Sequence, residues 1–295
     1  MTRLTVQHTT LYRYRQPVHF GDHRLMFRPR DSHDLRLVDT ALTISPQAQV
    51  RWMHDVFSNS IAIASFRDAA SVLRFDSRIR IAHFGLNDPE FPIAPFAQRY
   101  PFNYSDEELA DLAPSMGSSH PDAEGRVAAW ARAFLEGQET VETRDLLVRM
   151  TRAIRDRVAY ETRYDIGVQA PAETLSRGAG SCRDLALLMM DAVRALGFAA
   201  HFVSGYLYDP ALDGGASGSE AALKGVGHTH AWARIYLPGA GWVEFDPTNG
   251  LVGGANLIRV AVAREPDQAS PLQGSFTGLP EDFLDMEVSV KVSAD

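Results

Sequence analysis

Cys182, the only cysteine of this 295-residue chain, directly follows a glycine-rich stretch, Gly178-Ala-Gly-Ser. Apolar side chains recur at helical spacing from here to Gly197, which predicts a helix that begins near Ser181. A helix start stabilises a thiolate through its dipole and free N–H groups, and the same groups can bind an oxyanion. Asp184, in the first turn, is expected to stabilise this start. The position of Cys182 therefore favours a reactive thiol over a small buried hydrophobic side chain.

Two residues further along the chain could complete a nucleophilic site with this thiol. His230 lies in a predicted strand over 229–237, and Asp246 directly follows another over 241–245. A cysteine nucleophile needs a base that takes its proton, and the base needs a group that orients it. One hairpin would supply both groups. His228 is an alternative base, but it lies at the edge of the preceding loop.

The hairpin must also satisfy a parity condition if His230 and Asp246 are to meet. Paired residues of antiparallel strands point to the same face, so two even-numbered residues share a face only when the connecting loop has an odd number of residues. A loop over 237–241 fulfils this condition, and the same face then carries Trp232 and Glu244. An unbulged loop of even length would separate the imidazole from the carboxylate.

The surrounding sequence predicts an α+β protein. Short alternating segments with proline and asparagine between them indicate an N-terminal antiparallel β domain over 1–85. A proline-rich connector with little regular structure is expected over 86–125, followed by a catalytic core over 126–265 and a C-terminal extension over 266–295 that ends in a strand. Helices are predicted over 122–136, over 143–158 and from Ser181, and strands over 4–10, 11–14, 35–44, 50–57, 61–66, 72–81, 200–208, 229–237, 241–245, 257–262 and 285–291.

A loop over 209–227 separates two of these strands and runs into His230. It is rich in glycine, alanine and serine and contains few large apolar side chains. Loops of this length in a compact domain are usually lids or disordered insertions. A lid would exclude water and favour transfer of an acyl group to an amine, whereas an insertion without a role would not.

The composition limits the possible functions. A single cysteine excludes an intramolecular disulfide and a cysteine-rich metal site, and it makes the cytoplasm the expected location. The closely alternating Asp and Asn of a calcium loop are missing, so neither a metal nor another cofactor is expected. We also expect no signal peptide and no transmembrane helix, since no apolar run reaches the length of about 18 residues that a span requires.

Charge is distributed unevenly along the chain, whose net charge is −8. Residues 1–85 contain twelve Arg and seven Asp but neither Lys nor Glu, which gives this part a net charge of +5. Such an excess can indicate an acidic partner. The arginines form no basic run, however. We therefore expect them on a solvated sheet face and predict no nucleic-acid partner.

The chain resembles the transglutaminase-like superfamily in motifs that agree in order and spacing over about a hundred residues. These motifs are Glu173-Thr-Leu-Ser-Arg-Gly-Ala-Gly-Ser-Cys182-Arg-Asp-Leu-Ala, Val203-Ser-Gly-Tyr-Leu, His230-Ala-Trp and Gly241-Trp-Val-Glu-Phe-Asp246-Pro-Thr-Asn. Tyr12-Arg-Tyr-Arg-Gln-Pro-Val and Arg28-Pro-Arg resemble the N-terminal β domain of the family's bacterial branch, whose members are regarded as cysteine proteases. The family usually has Phe-Gly-Asn where this chain has Phe57-Ser-Asn59.

The resemblance implies a papain-like or transglutaminase-like core, in which the helix that bears the cysteine packs on an antiparallel sheet. It also implies that Cys182 is the nucleophile, His230 the general base and acid, and Asp246 the orienting carboxylate. Tyr160 is a candidate second oxyanion donor, and Trp232 is a further candidate for oxyanion binding or support.

A site of this kind implies a cysteine acyl-transfer enzyme that acts on a peptide or protein substrate. The thiol attacks an amide carbonyl and forms an acyl-thioester, which water or an amine then releases. Hydrolysis is the expected outcome. The alternatives are a protein-crosslinking transglutaminase, a non-catalytic module that binds peptides in the same groove, and an accessory protein whose β domain docks an acidic partner.

Overall fold

The computed structural model describes residues 1–85, 91–118, 120, 122–163, 167–213 and 223–295. Its first part contains six strands: β1 (Thr2–Phe20), β2 (His23–Leu25), β3 (Leu35–Ser45), β4 (Ala48–His54), β5 (Ser60–Phe66) and β6 (Ala70–His83). They pair antiparallel throughout, which confirms the β architecture predicted for residues 1–85. Strand β1 joins two predicted segments into one strand of 19 residues.

The next part of the chain carries the helices. Its elements are β7 (Arg99–Tyr100), α1 (Asp106–Leu112), α2 (Arg126–Arg132), β8 (Val141–Glu142), α3 (Thr143–Arg157), β9 (Ala159–Tyr160), α4 (Pro171–Arg177), β10 (Ala179–Gly180) and α5 (Cys182–Arg194). Helices α2, α3 and α5 confirm the three predicted helices, and Cys182 is the first residue of α5. Among the described residues, no helix is long and apolar enough to cross a bilayer.

Helix α1 corrects the expectation of little regular structure over 86–125. Its start is a capping box, because Ser105 accepts a hydrogen bond from the Glu108 N–H while the Glu108 carboxylate accepts one from Ser105. Helix α4 was also not predicted. It begins at Pro171 and ends at Gly178, whose φ of 65° is a common helix stop. Both helices lack a row of large apolar side chains such as Val127, Trp130 and Phe134, which indicated the helix over 122–136, so apolar periodicity could not reveal them.

The core sheet carries both predicted hairpin residues. It is formed by β11 (Ala200–Leu207), β12 (His230–Leu237), β13 (Gly241–Asp246), β14 (Leu251–Val252) and β15 (Leu257–Ala263), in the antiparallel order β14-β13-β12-β11-β15. Helix α5 packs on β12 and β11 through a fully buried apolar face that includes Leu188 and Met189. This packing of the cysteine helix on an antiparallel sheet confirms the predicted α+β fold class.

The chain then returns to its first sheets. Strands β16 (Leu272–Gln273), β17 (Phe276–Thr277) and β18 (Phe283–Ala294) complete the described elements. Strand β16 pairs with β2, while β17 and β18 pair with β1. The strand predicted over 285–291 is therefore longer than expected and lies in the N-terminal sheet. The division into an N-terminal domain, a connector, a catalytic core and a C-terminal extension stays a prediction.

A turn at residues 57–59 joins the N-terminal β region to the edge strand of the core sheet. The side-chain amide of Asn59 donates to the backbone oxygen of Val262 in β15 at 2.6 Å and accepts from its N–H at 2.9 Å. The Asp55 carboxylate holds the turn, because it accepts hydrogen bonds from the N–H groups of Phe57 and Asn59. Ser58 has a φ of 60°, the left-handed region that favours glycine.

Ser58→Gly is expected to stabilise the protein by about 1 kcal/mol, because glycine adopts this conformation without the steric cost of a Cβ atom. Urea unfolding followed by tryptophan fluorescence measures the change. Ser60→Gly is the control, since Ser60 begins strand β5 and glycine weakens a strand. Destabilisation by both substitutions would show that the backbone of Ser58 is not strained.

Candidate active site

His230 and Asp246 meet on one face of the core hairpin. Strands β12 and β13 pair Ala233 with Phe245 and Leu237 with Gly241, so the loop has odd length and the predicted parity is confirmed. Nε2 of His230 donates to Oδ2 of Asp246 at 2.9 Å, and neither side chain is exposed to solvent. His228 is exposed and lies outside the strand, so the structure brings His230 rather than His228 to the carboxylate.

The charged forms of His230 and Asp246 stabilise each other, which offsets the cost of burying them. Burial alone would lower the pKa of His230, but the charge and hydrogen bond of Asp246, together with the neighbouring Cys182, raise it to about 10. Burial alone would raise the pKa of Asp246, but the charge and hydrogen bond of His230 lower it, as do hydrogen bonds from Asn249 and the Thr248 N–H. The arrangement therefore favours an imidazolium next to a carboxylate.

Cys182 lies at the start of α5, close enough to His230 to affect its pKa. Nδ1 of His230, on the ring edge away from Asp246, is buried and has no hydrogen-bond partner among the described residues. Cys182 itself is 8% exposed. This order of groups allows a proton to pass from the thiol to Nδ1 while Nε2 stays bound to the carboxylate.

Asp184 fixes the start of the cysteine helix, as predicted. It is fully buried, and its Oδ2 accepts hydrogen bonds from the N–H and the hydroxyl of Ser181, both at 2.8 Å. Its Oδ1 accepts from the Gln169 N–H at 2.7 Å and from Arg163 at 2.9 Å. These contacts hold the first turn of α5, and with it the backbone of Cys182, in one conformation.

Tyr160 lies on the thiol side of His230. Strand β9 pairs parallel with β10 and places Tyr160 opposite Gly180, two residues before Cys182. A Cβ atom at Gly225 would lie 3.7 Å from the Tyr160 hydroxyl and 2.8 Å from Nδ1 of His230, so these two groups flank the same glycine. The role of Tyr160 as an oxyanion donor stays a prediction.

Trp232 cannot serve as an oxyanion donor. Of the two roles predicted for it, only support of the site remains. Its side chain is fully buried, and its indole N–H is donated to the carboxylate of Glu244. The indole stacks under the imidazole of His230, with ring centroids 6.0 Å apart. Glu244 in turn binds Arg259 at 2.6 Å, and Arg259 reaches Asp34 of the N-terminal β region at 3.3 Å.

Sequence reasoning missed Asn249 and the Glu244–Arg259 pair. Nδ2 of Asn249 donates to Oδ2 of Asp246 at 2.8 Å. A signal was present, because Asn249 ends the motif Asp246-Pro-Thr-Asn. Arg259 had no such signal, since its contact with Glu244 depends on the pairing of β15 with β11.

Gly225 covers the Nδ1 edge of His230, and its φ of 91° is unfavourable for other residues. Gly225→Ala is expected to slow alkylation of Cys182 about tenfold or more, because the new Cβ atom must displace the imidazole or the segment above it. Gly227→Ala is the matched control, since Gly227 has a φ of 90° but open space where its Cβ would lie. Equal losses in both variants would assign the effect to backbone strain alone.

The remaining predictions for this region concern metals and the loop over 209–227. The described residues contain no group of three His, Cys, Asp or Glu side chains that could hold a metal ion. Residues 214–222, the middle of the predicted lid or insertion, lie outside the described residues. Its end at 223–227 is described and lies beside His230.

The fold and the site define a class of α+β protein, in which a cysteine at a helix start faces a histidine–aspartate pair on an antiparallel sheet. The profile of the bacterial transglutaminase-like N-terminal region matches residues 4–82, and that of the transglutaminase-like superfamily matches residues 128–247. Together they span about two thirds of the chain. The chain belongs to the transglutaminase-like superfamily and carries its bacterial N-terminal region.

Relatives extend the similarity over the whole chain. An uncharacterized protein of Mycobacterium tuberculosis is 29% identical over 304 residues, which cover 98% of this chain and 92% of the relative. An uncharacterized protein of Mycobacterium bovis matches to the same extent. The crystal structure of a "putative cysteine protease" from Cytophaga hutchinsonii covers 99% of this chain and 90% of its own, with a TM-score of 0.69 and 16% sequence identity. At this identity, the structural similarity establishes the fold.

Proposed function

We propose that this protein is a cysteine acyl-transfer enzyme that hydrolyses peptide or amide bonds through a Cys182-His230-Asp246 triad. The observation that carries the proposal is the buried His230–Asp246 pair, whose free ring edge lies on the side of the helix-start thiol. A buried charge pair costs desolvation energy, and strongly perturbed pKa values cluster at functional sites. The name of the Cytophaga hutchinsonii neighbour is consistent with this function.

The first half of the reaction forms an acyl-thioester. The proton that Nδ1 of His230 holds in the imidazolium comes from the Cys182 thiol, and the Sγ thiolate attacks the carbonyl carbon of the substrate amide. We assign the binding of the resulting oxyanion to the N–H groups at the start of α5. The imidazolium then gives its proton to the amide nitrogen, the C–N bond breaks, and the amine leaves.

The second half releases the acyl group. A water molecule gives a proton to Nδ1 and attacks the thioester carbonyl, the C–S bond breaks, and the sulfur recovers the proton. The sum is amide plus water giving carboxylic acid plus amine. Attack by a primary amine in place of water would instead crosslink two substrates, which is the transglutaminase alternative.

Incubation with a peptide library and a biotinylated primary amine tests this function. Mass spectrometry should detect new free carboxyl groups that require Cys182, and Cys182→Ala is the control. Products that carry the biotinylated amine would indicate crosslinking. Binding of peptides without any product would indicate a non-catalytic module, and capture of an acidic protein by residues 1–85 would favour an accessory role.

The substrate class and the location remain part of the proposal. A peptide or protein substrate is proposed because the reaction needs an accessible amide carbonyl. A cytoplasmic location is proposed because the one cysteine, Cys182, is a free thiol in the structure. Fractionation of cells that express the tagged protein tests the location.

A further inference from the structure

Asn249 lies between Asp246 and the backbone of Lys224. Its Nδ2 group donates to Oδ2 of Asp246 at 2.8 Å, the same oxygen that accepts from His230. Nδ2 also donates to the backbone oxygen of Lys224 at 3.2 Å, and Oδ1 accepts from the Lys224 N–H at 2.8 Å. The amide group therefore uses both of its hydrogens and its oxygen, which determines how it is oriented.

Lys224 belongs to a segment, residues 223–227, that covers the thiol edge of His230. Gly225 follows it directly, and a Cβ atom there would lie 2.8 Å from Nδ1. Two further hydrogen bonds hold the segment. The Leu223 N–H donates to Asp209 at 2.8 Å, and the Val290 N–H of strand β18 donates to the Gly227 oxygen at 2.9 Å. Of these contacts, the one through Asn249 also reaches the carboxylate.

We propose that Asn249 is a positioning residue that orients the Asp246 carboxylate and ties it to the segment covering His230. This inference rests on the proposed function. Oδ1 of Asp246 is held by the Thr248 N–H at 2.9 Å, while Oδ2 is held by Asn249 and His230. Without Asn249, the carboxylate keeps its charge but loses a donor that fixes the direction of its hydrogen bond to the imidazole.

The experiment compares Asn249→Ala and Asn249→Asp in the full chain. Alanine removes all side-chain contacts of Asn249. Aspartate keeps an acceptor for the Lys224 N–H but places a second carboxylate where Asp246 needs a donor. Asn256→Ala is the matched control, because Asn256 donates to the backbone oxygen of Tyr208 at 2.9 Å and anchors a different loop.

Two readouts separate positioning from stability. They are the rate of Cys182 alkylation by iodoacetamide against pH, and the most downfield imidazole N–H resonance in proton NMR, which reports the hydrogen bond between His230 and Asp246. Both Asn249 variants should react about tenfold more slowly at pH 6 and shift or broaden this resonance, while Asn256→Ala matches the wild type. Amide hydrogen exchange at Lys224 should be faster in Asn249→Ala than in Asn249→Asp.

A lower melting temperature with an unchanged pH profile and resonance would overturn the proposal and leave Asn249 a structural residue. If Asn249→Ala does not fold, the isosteric Asn249→Asp carries the test. Failure of the proposed function can be distinguished from failure of this inference. If the proposed function fails, the wild-type chain itself shows the pH profile of an ordinary thiol.

Discussion

Asp246→Asn is expected to lower turnover by about 10³ to 10⁴ while the chain stays folded. The carboxylate accepts the Nε2 proton of His230, so Nε2 stays protonated and Nδ1 is the nitrogen that exchanges a proton with the thiol. It also provides the charge that raises the pKa of His230. Asparagine has nearly the same shape but no charge, and its amide can present an N–H group that favours the opposite tautomer. The measurement is kcat, with KM alongside it, for the peptide amide of the library that is hydrolysed fastest.

Asp282→Asn is the matched control for this substitution. Asp282 is 3% exposed and accepts hydrogen bonds from the Leu279 N–H and from Gln16, so its replacement removes a buried carboxylate from another part of the fold. Turnover should fall in Asp246→Asn alone. Activity of Asp246→Asn close to that of the wild type would contradict the role assigned to the carboxylate.

The same pair predicts a pH dependence of stability. The pKa of His230 is raised from 6.5 to about 10 in the fold, so its stabilising contribution is fully present below pH 6.5 and is lost as the pH rises toward 10. The free energy of unfolding should therefore decrease over this range in the wild type. The decrease should be much smaller in Asp246→Asn, where the charge that holds the proton is missing.

His230→Ala is expected to slow alkylation of Cys182 at pH 6 by about a hundredfold, because the thiol then has no neighbouring base to take its proton. The rate at high pH should change much less, since hydroxide removes the proton there. Iodoacetamide labelling followed by intact mass spectrometry gives both rates without a substrate. This makes the test independent of the substrate's identity.

His201→Gln is the matched control for His230→Ala. Burial, together with the charges of Arg234 and Arg194, lowers the pKa of His201 to about 3, so this second buried histidine of the core sheet is neutral. It bonds Ser115 at 2.7 Å and stacks on Trp242, away from the thiol. Its replacement should leave the pH profile of alkylation unchanged. An equal loss in both variants would indicate a general disturbance of the sheet.

The hairpin geometry could be predicted from the sequence because it depends on a local rule. Side chains alternate along a strand, so the length of one loop decides whether His230 and Asp246 share a face. The start of α5 could also be predicted from local sequence, because its glycines, capping residue and apolar spacing are contiguous. These two elements carry all three members of the proposed triad.

Contacts between distant parts of the chain could not be derived in this way. The alternation near the C-terminus predicted a strand, but nothing local showed that β18 pairs with β1. The Arg259 bridge between Glu244 and Asp34 depends on the same kind of long-range pairing. The motif Asp246-Pro-Thr-Asn gave a signal for Asn249 itself, but not for its contact with Lys224. Lys224 lies 25 residues earlier and binds the Asn249 side chain only through backbone groups, which no residue type reveals.

Trapping of an acyl group on Cys182 is the most direct test of the central claim. The chain is mixed with a library of peptide amides, quenched rapidly in acid, and examined by intact and fragment mass spectrometry. The account predicts a mass increase equal to a peptide acyl group, located on Cys182, labile to hydroxylamine and longer-lived in Asp246→Asn. An unmodified Cys182 throughout turnover, or product formation by Cys182→Ala, would contradict it.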